Sequence, residues 1–589
     1  MYADEMIIQL NIASFAYDVH SLFQAFYPHT RIVVVTEDKG DAVFPCEGWR
    51  IVVTEDMLSV STGGKERSVS VEGLPRAEVK NHLKRLIYDA LCAHTGRQLP
   101  WGTLTGIRPT KLALQRLLSG ASRDTIAAFM RDVYRTGEDK IELCTRIAMR
   151  EAKVLEKIAG VKWKKDTKEA YATGTPEGDG NESATGMPMG NRNFPAAGNL
   201  LVDGYSLYIG IPFCPSICLY CSFSSYAVGA YRPLVEEYLT ALFTEIDAVA
   251  GMFSDRPLTT VYIGGGTPTA LSDGQLSRLL DKVESAFDMT HVLEFTVEAG
   301  RPDSLDRDKL AVIASHFGGN IRISINPQTL QQKTLELIGR RHTTEDIRRC
   351  YADARAAGFT HINMDLIVGL PGETVEDVAD TLAQARQLAP DNLTVHALAI
   401  KRSSRLHEIL TERAVRAAAE ASKGETEAAR AAAEASRGET EAARAAAEAF
   451  RTETEASRAA ESLTEEGYRS YFSAHGDEIM AMAHSLAADM GMYPYYLYRQ
   501  KNIAGNLENV GFAPEGKEGL YNIIIMEEVQ DIIALGAGAA CKCLARDEDG
   551  RPLPKAKIRR CENVKNVEEY ILRVDEMIER KRKLYFGST

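Results

Sequence analysis

The chain has 589 residues, of which 45% are hydrophobic, and both values are typical of a soluble protein with two or three globular domains. No apolar run is long enough to cross a bilayer, and the first residues are acidic where a secretory signal would be basic. The formal net charge of −13 at pH 7 argues against a broad nucleic-acid-binding surface. We therefore expect a cytoplasmic protein with no membrane span.

The first part of the chain, residues 1–163, is predicted to be an α+β accessory domain. Four short runs have the composition of strands, and helical periodicity dominates from about residue 76 to residue 157. The loop Pro100–Lys111 is rich in Gly, Pro and Arg, so it either contacts substrate or the next domain, or is a plain packing loop. Residues 164–199 lack hydrophobic periodicity and are predicted to be a flexible linker. The predicted strands are Met6–Ile12, Arg31–Thr36, Arg50–Val53 and Arg67–Val71.

Residues 200–412 consist of short apolar runs that alternate with amphipathic helices. Alternation of buried strands with helices predicts an α/β fold with a parallel sheet. Six such units favour a partial (β/α)6 barrel, and a doubly wound open sheet is the alternative. The predicted strands are Ser206–Ile211, Thr259–Ile263, Leu293–Val297, Ile321–Ile325, His361–Ile367 and Leu393–Ala399.

Residues 413–461 form an alanine-rich insertion. The segment that starts at Arg416 repeats with a period of fourteen residues and degenerates towards Ser457. Alanine favours helix, but the expected coiled-coil seam is mostly alanine instead of leucine. We predict an exposed helical insertion without a direct part in chemistry. Residues 462–589, which combine a helical pattern, an aromatic tract and a basic terminal helix, are predicted to form a C-terminal α+β domain that packs against the barrel.

Three of the ten cysteines, Cys214, Cys218 and Cys221, are grouped with the spacing C-x3-C-x2-C directly after the first predicted barrel strand. Three thiolates held this close can ligate three irons of a cubane cluster and leave the fourth iron open to a ligand. A structural zinc site, which needs a fourth ligand, and a chance group of buried cysteines are the alternatives. Cys541 and Cys543 have no cysteine or histidine pair near them in the sequence, so extra metal ligation is disfavoured there.

Glycines and polar residues follow the ends of the predicted strands. Gly264–Gly266 ends the second strand, Glu298 ends the third, Asn326 and Gln328 follow the fourth, and Asp365 lies within the fifth. The carboxyl ends of barrel strands form the active face, so these residues should converge beside the cysteines. Each of them alone is more easily explained as a helix cap or turn residue. Together they predict one ligand site.

The cysteine spacing followed by Gly-Gly-Gly-Thr-Pro resembles the signature of radical S-adenosylmethionine enzymes. The segments Tyr208–Cys214 and Asn363–Gly372 resemble the oxygen-independent coproporphyrinogen III oxidase (HemN-like) superfamily. Three further segments, Thr105–Lys111, Val297–Pro302 and Tyr496–Lys501, are similar to its HemZ branch. The resemblance covers nearly the whole chain except the linker and the alanine-rich repeats.

The resemblance implies that the three cysteines ligate a [4Fe-4S] cluster and that S-adenosyl-L-methionine chelates its open iron. It further implies ten residues as ligands of one or two cofactor molecules. Their types fit, since backbone amides and hydroxyls suit an amine and carboxylate, arginine suits a carboxylate, and aspartate suits a ribose. These residues are Tyr208, Tyr220, Gly265, Gly266, Thr267, Glu298, Gln328, Arg340, Asp365 and Ala399.

The implied activity is that of a coproporphyrinogen III dehydrogenase in haem biosynthesis. In that reaction a 5′-deoxyadenosyl radical removes a hydrogen from a propionate, and carbon dioxide and one electron leave to give a vinyl group. Two rounds convert coproporphyrinogen III to protoporphyrinogen IX. The implied partners are the tetrapyrrole and a one-electron donor such as flavodoxin or ferredoxin.

Two positions depart from the catalysts of this family, which carry His at the position of Gly210 and a fourth Cys at the position of Phe223. The HemW branch, whose members deliver haem, shares the phenylalanine but lacks a comparable N-terminal domain. Haem binding or delivery is therefore the alternative function, and radical chemistry on another tetrapyrrole is a third. The basic segment Lys401–Arg405 either pairs with tetrapyrrole propionates or is a solvated loop.

Overall fold

A computed structural model describes residues 5–27, 30–36, 48–105, 108–159, 200–411, 465–500, 507–545 and 558–587. The predicted linker, residues 164–199, and the alanine-rich insertion lie outside the described residues. No helix among the described residues is both long and apolar enough to span a membrane.

The N-terminal residues build a five-stranded sheet with the strand order β2-β1-β3-β4-β5. A core of its own forms between this sheet and helices α1 (Ala16–Phe26) and α2 (Arg76–Thr95), with Leu22, Phe23 and Leu83 fully buried. The strand β4 was not predicted, because its alternation rests on only two buried apolar side chains. The strands are β1 (Glu5–Leu10), β2 (Arg31–Thr36), β3 (Trp49–Val53), β4 (Met57–Thr62) and β5 (Lys65–Ser70).

Three further helices follow: α3 (Thr110–Leu118), α4 (Arg123–Tyr134) and α5 (Glu138–Ala159). The buried residues of these helices, together with Trp101 and Leu104 before them, belong to the same hydrophobic core as the large central sheet. Buried residues up to Leu99 belong to the N-terminal core. The change of core therefore falls at about residue 100, inside the segment 1–163. The division of the chain into domains stays a prediction.

The central sheet has eleven strands, and six of them lie side by side in chain order from β6 to β13. They are parallel, as predicted, and helices connect them. A doubly wound sheet would reverse its strand order at a switch point, so the partial barrel is confirmed. The strands are β6 (Tyr205–Ile211), β9 (Leu258–Gly265), β10 (Glu294–Glu298), β11 (Arg322–Ser324), β12 (Ile362–Val368) and β13 (Asn392–Ala397). The two-residue strands β7 (Phe213–Cys214) and β8 (Tyr226–Ala227) pair with each other outside this sheet. The helices are α6 (Val235–Met252), α7 (Asp273–Ala286), α8 (Arg307–Ala314), α9 (Gln332–Leu337), α10 (Thr344–Ala356) and α11 (Val375–Leu388).

The C-terminal residues extend this sheet at both edges. The antiparallel strands β14 (Tyr493–Tyr498) and β15 (Asn509–Ala513) continue it beyond β13. On the other side, β16 (Asp531–Leu535) pairs in parallel with β6, which adds a seventh parallel strand to the six predicted ones. Two antiparallel strands, β17 (Ala540–Cys543) and β18 (Arg559–Glu562), complete this edge. The helices are α12 (Glu465–Asp489), α13 (Leu520–Glu527), α14 (Val567–Leu572) and α15 (Val574–Phe586).

The loop Pro100–Lys111 packs against these C-terminal elements. The indole of Trp101, fully buried, donates a hydrogen bond to Glu508 Oε2 at 2.9 Å. Arg108 donates to the carbonyl of Met526 at 2.8 Å, and Lys111 Nζ lies 2.8 Å from Glu528 Oε2. The described residues of this loop therefore contact another part of the chain, which is one of the roles considered for it in the sequence analysis.

Candidate cluster and cofactor site

The loop that carries the three cysteines leaves the barrel after β6 and is held by backbone hydrogen bonds from three other loops. The amides of Gly266 and Thr267 donate to the carbonyls of Ile211 and Phe213, both at 2.7 Å. Further along, the amide of Leu219 donates to Ile338 at 2.9 Å, and the amide of Leu406 donates back to Leu219 at 2.9 Å. The residues after β9, β11 and β13 thus meet the cysteine loop at one end of the barrel.

Cys214 and Cys218 are buried and Cys221 is partly buried. Burial raises the pKa of Cys214 to about 11, although a hydrogen bond from Thr267 Oγ1 to its sulfur at 3.4 Å acts in the opposite direction. The thiol is therefore protonated near neutral pH until a metal displaces the proton. No three His, Cys, Asp or Glu side chains in the described part of the chain surround a single ion position. A cubane differs from such a site, since each cysteine binds a different iron.

Two glycines at the end of β9 lie in close contact with neighbouring residues. A Cβ on Gly264 would lie 2.9 Å from the carboxylate carbon of Glu298. A Cβ on Gly266 would lie 2.6 Å from the carbonyl oxygen of Phe213, next to the first cysteine. Both distances are shorter than real Cβ contacts. The Glu298 side chain could move away from a side chain at position 264, but the contact of Gly266 is with the backbone of the cysteine loop, so only glycine allows this approach.

A stack of three tyrosines lies on the inner side of β6 and β9. The ring of Tyr262 is 6.1 Å from that of Tyr208 and 4.6 Å from that of Tyr521, with centroids as reference points. The hydroxyl of Tyr262 donates to Glu298 Oε1 at 2.6 Å. Burial raises the pKa of Glu298 to about 7, while this hydrogen bond partly opposes the rise. The carboxyl group can therefore exist in either protonation state near neutral pH.

Two buried side chains between β11 and β12 carry polar atoms that have no partner among the described residues. The Gln328 side chain, 9% exposed, has an unpartnered Oε1, and its backbone has a φ of +71°. Arg340 donates to the carbonyl of Asn326 at 2.5 Å and to the hydroxyl of Tyr220 at 3.2 Å, yet its Nε has no partner. Buried polar atoms are normally satisfied, and strained residues concentrate at functional sites. These atoms fit a polar ligand such as S-adenosylmethionine.

Asp365 lies on the inner side of β12, where Asn363 donates to its Oδ1 at 2.8 Å and the Nε2 of His396 is 3.8 Å from its Oδ2. Burial raises its pKa, but the contacts with His396 and Asn363 outweigh burial and leave the pKa below its usual value. His396 in turn contacts the Tyr498 hydroxyl at 3.1 Å through Nδ1. Asp365 is therefore an ionised acceptor. Ala399 is buried two residues after the end of β13.

The contacts described above join Thr267 with Cys214 and Tyr220 with Arg340. They also join Tyr208, through Tyr262, with Glu298. Other residues of the site were not predicted: Arg301 beside Cys218, Tyr521 in the stack, and His396 with Tyr498 at Asp365. Val297–Pro302 and Tyr496–Lys501 were singled out by resemblance, but no local pattern assigned a role to these side chains.

Cys541 and Cys543 have no other cysteine near them in the sequence, but the fold brings Cys561 close to them. Cys561 lies directly opposite Cys541 in the β17–β18 ladder, and all three cysteines belong to one small apolar cluster. The sequence hides this pairing because the two strands are separated by residues 544–558.

A family profile described as the radical SAM superfamily matches residues 208–385. The oxygen-independent coproporphyrinogen-III oxidase-like protein HemZ of Bacillus subtilis (strain 168) is 33% identical over 96% of this chain and 94% of its own length. The heme chaperone HemW of the same organism is 38% identical over 33% of this chain and 51% of its own length. The solved structure of coproporphyrinogen III oxidase (HemN) from Escherichia coli covers 64% of this chain and 70% of its own, with 20% identity and a TM-score of 0.42.

The similarity to HemZ extends over nearly the full length of both chains, whereas the similarity to HemW covers about half of that protein. Members of the radical SAM superfamily use a [4Fe-4S] cluster and S-adenosylmethionine, and the buried polar atoms around the cysteine loop fit these groups. The chain belongs to the HemZ family of oxygen-independent coproporphyrinogen III oxidase-like proteins, within the radical SAM superfamily, and its cofactors are a [4Fe-4S] cluster and S-adenosylmethionine.

Proposed function

We propose that this protein is an oxygen-independent coproporphyrinogen III dehydrogenase, which converts two propionates to vinyl groups and yields protoporphyrinogen IX in the cytoplasm. Support comes from the similarity to HemZ over 96% of the chain. The observation that carries the assignment is the meeting of the cysteine loop, the unpartnered atoms of Gln328 and Arg340, and a basic segment at one end of the barrel.

Cys214, Cys218 and Cys221 would hold the cluster. When bound, the cluster and S-adenosylmethionine supply the radical that removes a hydrogen atom from a propionate. The hydroxyl of Thr267, the unpartnered Gln328 Oε1 and the Arg340 guanidinium would bind and orient the polar parts of the cofactor. The full set of proposed cofactor ligands is Tyr208, Tyr220, Gly265, Gly266, Thr267, Glu298, Gln328, Arg340, Asp365 and Ala399.

The tyrosine stack and the ionised Asp365 would do two different things. Stacked rings of Tyr208, Tyr262 and Tyr521 exclude water from one side of the interior. Asp365, held by Asn363 and His396, would accept hydrogen bonds from hydroxyl or amine groups. The protein thus supplies orientation and a dry cavity, and the radical chemistry belongs to the cofactor.

The basic segment Lys401–Arg405 would bind the substrate's carboxylates. It follows β13, and the next residue, Leu406, is hydrogen-bonded to Leu219 between two of the cysteines. Arg402 and Arg405 are exposed and Lys401 is half-buried, so their charges lie at the surface next to the cysteine loop. Arginine pairs with carboxylates through two parallel hydrogen bonds, which suits the propionates of a tetrapyrrole.

Each round removes one hydrogen atom, one carbon dioxide and one electron from a propionate, so the reaction needs an electron acceptor as well as an electron donor. A small protein donor such as flavodoxin or ferredoxin would deliver the electron that starts each round.

The test is anaerobic reconstitution of the full-length protein with iron, sulfide, S-adenosylmethionine, reductant and coproporphyrinogen III. We expect vinyl-bearing products, release of carbon dioxide and formation of 5′-deoxyadenosine, measured by chromatography, and none of these with Cys218→Ala. Cleavage of S-adenosylmethionine without any vinyl product would contradict the substrate and favour another tetrapyrrole.

Haem binding or delivery is the second candidate, and Phe223 favours it. This side chain is 75% exposed beside the cysteine loop, at the position of a fourth cysteine in the catalysts, and an exposed aromatic ring can stack on a planar macrocycle. Stable haem binding without carbon dioxide release would support this function instead.

Gly210 is the other departure, and packing does not require glycine there. A Cβ at this position would lie 3.4 Å from the carbonyl oxygen of Leu535 and 3.5 Å from the ring of Tyr208, both ordinary contacts. The absence of a histidine is therefore not imposed by close backbone approach. Gly210→His, compared with the parent protein in the same vinyl-product assay, measures how much this position contributes to decarboxylation.

A further inference from the structure

Arg301 is buried behind the cysteine loop, with 3% of its surface exposed. Its Nη1 lies 3.5 Å from the sulfur of Cys218 and 2.8 Å from the carbonyl oxygen of Ser216. Its Nη2 donates to the Ser216 hydroxyl at 2.9 Å. The guanidinium therefore contacts both the backbone and one sulfur of the loop that holds the cluster.

Asp303 fixes the remaining side of this guanidinium. Its two carboxylate oxygens accept from Arg301 Nε at 2.9 Å and Nη2 at 2.7 Å. The Nδ1 of His342, whose side chain is fully buried, lies 3.5 Å from Asp303 Oδ1. Burial raises the pKa of Asp303, but the contacts with His342 and Arg301 prevail and hold it below its usual range, so the carboxylate is ionised.

All five N–H groups of Arg301 are thereby used: one at Nε, two at Nη1 and two at Nη2. Arg340, the other cation near Cys218, differs because its Nε is left without a partner in the described part of the chain. Arg340 can thus still bind a cofactor, whereas every hydrogen-bond donor of Arg301 is directed at the loop or at Asp303.

The three cysteines also differ in the side chains that face their sulfurs. Cys218 faces a charged guanidinium, Cys214 faces the hydroxyl of Thr267 at 3.4 Å, and Cys221 faces the hydroxyl of Ser225 at 3.9 Å. Hydrogen bonds to cluster sulfurs and nearby charge set the reduction potential of an iron–sulfur centre. A buried positive charge stabilises the more negative, reduced cluster, and little solvent screens it.

We propose that Arg301 is a positioning residue that orients Cys218 and raises the reduction potential of the cluster. Since this effect acts on a cluster held by Cys218, it depends on the ligation proposed above. The failure of each proposal gives a different result. If the proposed ligation is wrong, Cys218→Ala retains its cluster; the role of Arg301 is measured separately, as a reduction potential, in protein that contains its cluster.

The experiment is a redox titration of the reconstituted full-length protein, followed by electron paramagnetic resonance of the reduced cluster. For Arg301→Gln we expect the reduction equilibrium to shift at least tenfold towards the oxidised form, which corresponds to about 59 mV for one electron. Arg307→Gln is the matched control, because it removes the same charge from an arginine whose side chain is 81% exposed. It should leave the potential and the spectrum unchanged.

Arg301→Lys keeps the positive charge, so it should still load its cluster. Lysine cannot bind Ser216 and Asp303 at once, so the potential should shift in the same direction as in Arg301→Gln, but by a smaller amount. This variant also decides the matter if Arg301→Gln fails to fold or to bind iron. The inference is overturned if Arg301→Gln has the same reduction potential as the parent protein. If only Arg301→Lys binds a cluster, an unchanged potential in that variant overturns it. An equal shift in Arg307→Gln would do so too, since net charge alone would then explain it.

Discussion

The chain carries two groups of three cysteines that differ in how the backbone presents them. Cys214, Cys218 and Cys221 lie on a loop at the end of β6, and the side chains of Thr267, Arg301 and Ser225 face their sulfurs. The second group lies on the ladder of β17 and β18, where Cys541 exchanges hydrogen bonds with the backbone of Ala534, at 3.2 Å for its amide and 3.4 Å for its carbonyl. The other members of the second group are Cys543 and Cys561.

Both groups bring three cysteines close together, but the surroundings of their sulfurs differ. Both groups have an arginine at a sulfur, but Arg559, which donates to Cys543 at 3.2 Å, is exposed, whereas Arg301 is buried and fixed by Asp303. In the ladder of β17 and β18, the cysteine sulfurs pack between strands. In the cysteine loop, in contrast, the sulfurs lie near buried polar atoms that have no partner in the described part of the chain.

The largest expected effect separates the two groups directly. Cys218→Ala should lose essentially all cluster iron and the associated visible absorbance, because one of the three proposed thiolate ligands is removed. Cys543→Ala is the matched control and should retain iron at the level of the parent protein. Iron analysis and absorbance spectra after anaerobic reconstitution measure both. A loss of iron in Cys543→Ala equal to that in Cys218→Ala would contradict the distinction.

The second prediction tests whether close packing holds the cysteine loop. Gly266→Ala places a methyl group 2.6 Å from the Phe213 carbonyl oxygen, so the backbone beside Cys214 must move. We expect the free energy of unfolding to fall by about 1–3 kcal/mol and the iron content to fall with it. In Gly274→Ala, a helix position with nothing within 4 Å of the new methyl group, stability should rise by up to about 1 kcal/mol. Denaturant unfolding measures both variants; equal stability of the two would refute the packing argument.

The third prediction concerns Glu298, which accepts a hydrogen bond from Tyr262 in the tyrosine stack. Its folded pKa is raised by burial to about 7, so between about pH 4.3 and pH 7 the folded state keeps a proton that the unfolded state has lost. Stability of the cofactor-free protein should therefore fall as the pH rises through this window.

Glu298→Gln should make that decline smaller by at most about 4 kcal/mol, since the window spans about 2.7 units and one pKa unit corresponds to about 1.4 kcal/mol. Glutamine can still accept the hydrogen bond from Tyr262, so the packing is preserved. Denaturant unfolding at a series of pH values is the measurement, and exposed Glu237→Gln is the control. If the free energy of unfolding depends on pH in the same way in Glu298→Gln and in the parent protein, burial does not raise the pKa of Glu298.

The smallest expected effect is none at all. Deletion of residues 416–457, the alanine-rich repeats, should leave cluster iron and absorbance unchanged, because the segment carries no cysteine and none of the proposed cofactor ligands. Loss of the cluster absorbance in this deletion would mean that the repeats support the cysteine loop.

Sequence patterns were sufficient where the chemistry is local. The spacing of the three cysteines, the glycines before Thr267 and the six barrel strands all lie in continuous segments, so a pattern in one segment indicates each of them. The strand ends could also be predicted to converge, since parallel barrel strands end on one face. The assignment of ten residues as cofactor ligands stays a prediction.

Contacts between distant segments could not be predicted in the same way. The contact of Arg301 with Cys218 joins two loops, and the pairing of Cys541 with Cys561 joins two strands, through contacts that no period or spacing encodes. Tyr521 enters the tyrosine stack from a helix outside the barrel. Such side chains are identified by burial and distance, which require the fold.

The pairing of β6 with β16 has a consequence for synthesis on the ribosome. Tyr205 pairs with Asp531, so the strand that leads into the cysteine loop receives this neighbour only after nearly the whole chain has emerged. Until then one edge of β6 offers unpaired backbone groups to other chains, and late, non-local pairing is slow and prone to aggregation. Iron insertion into the loop before β16 is translated would thus occur on an unfinished barrel.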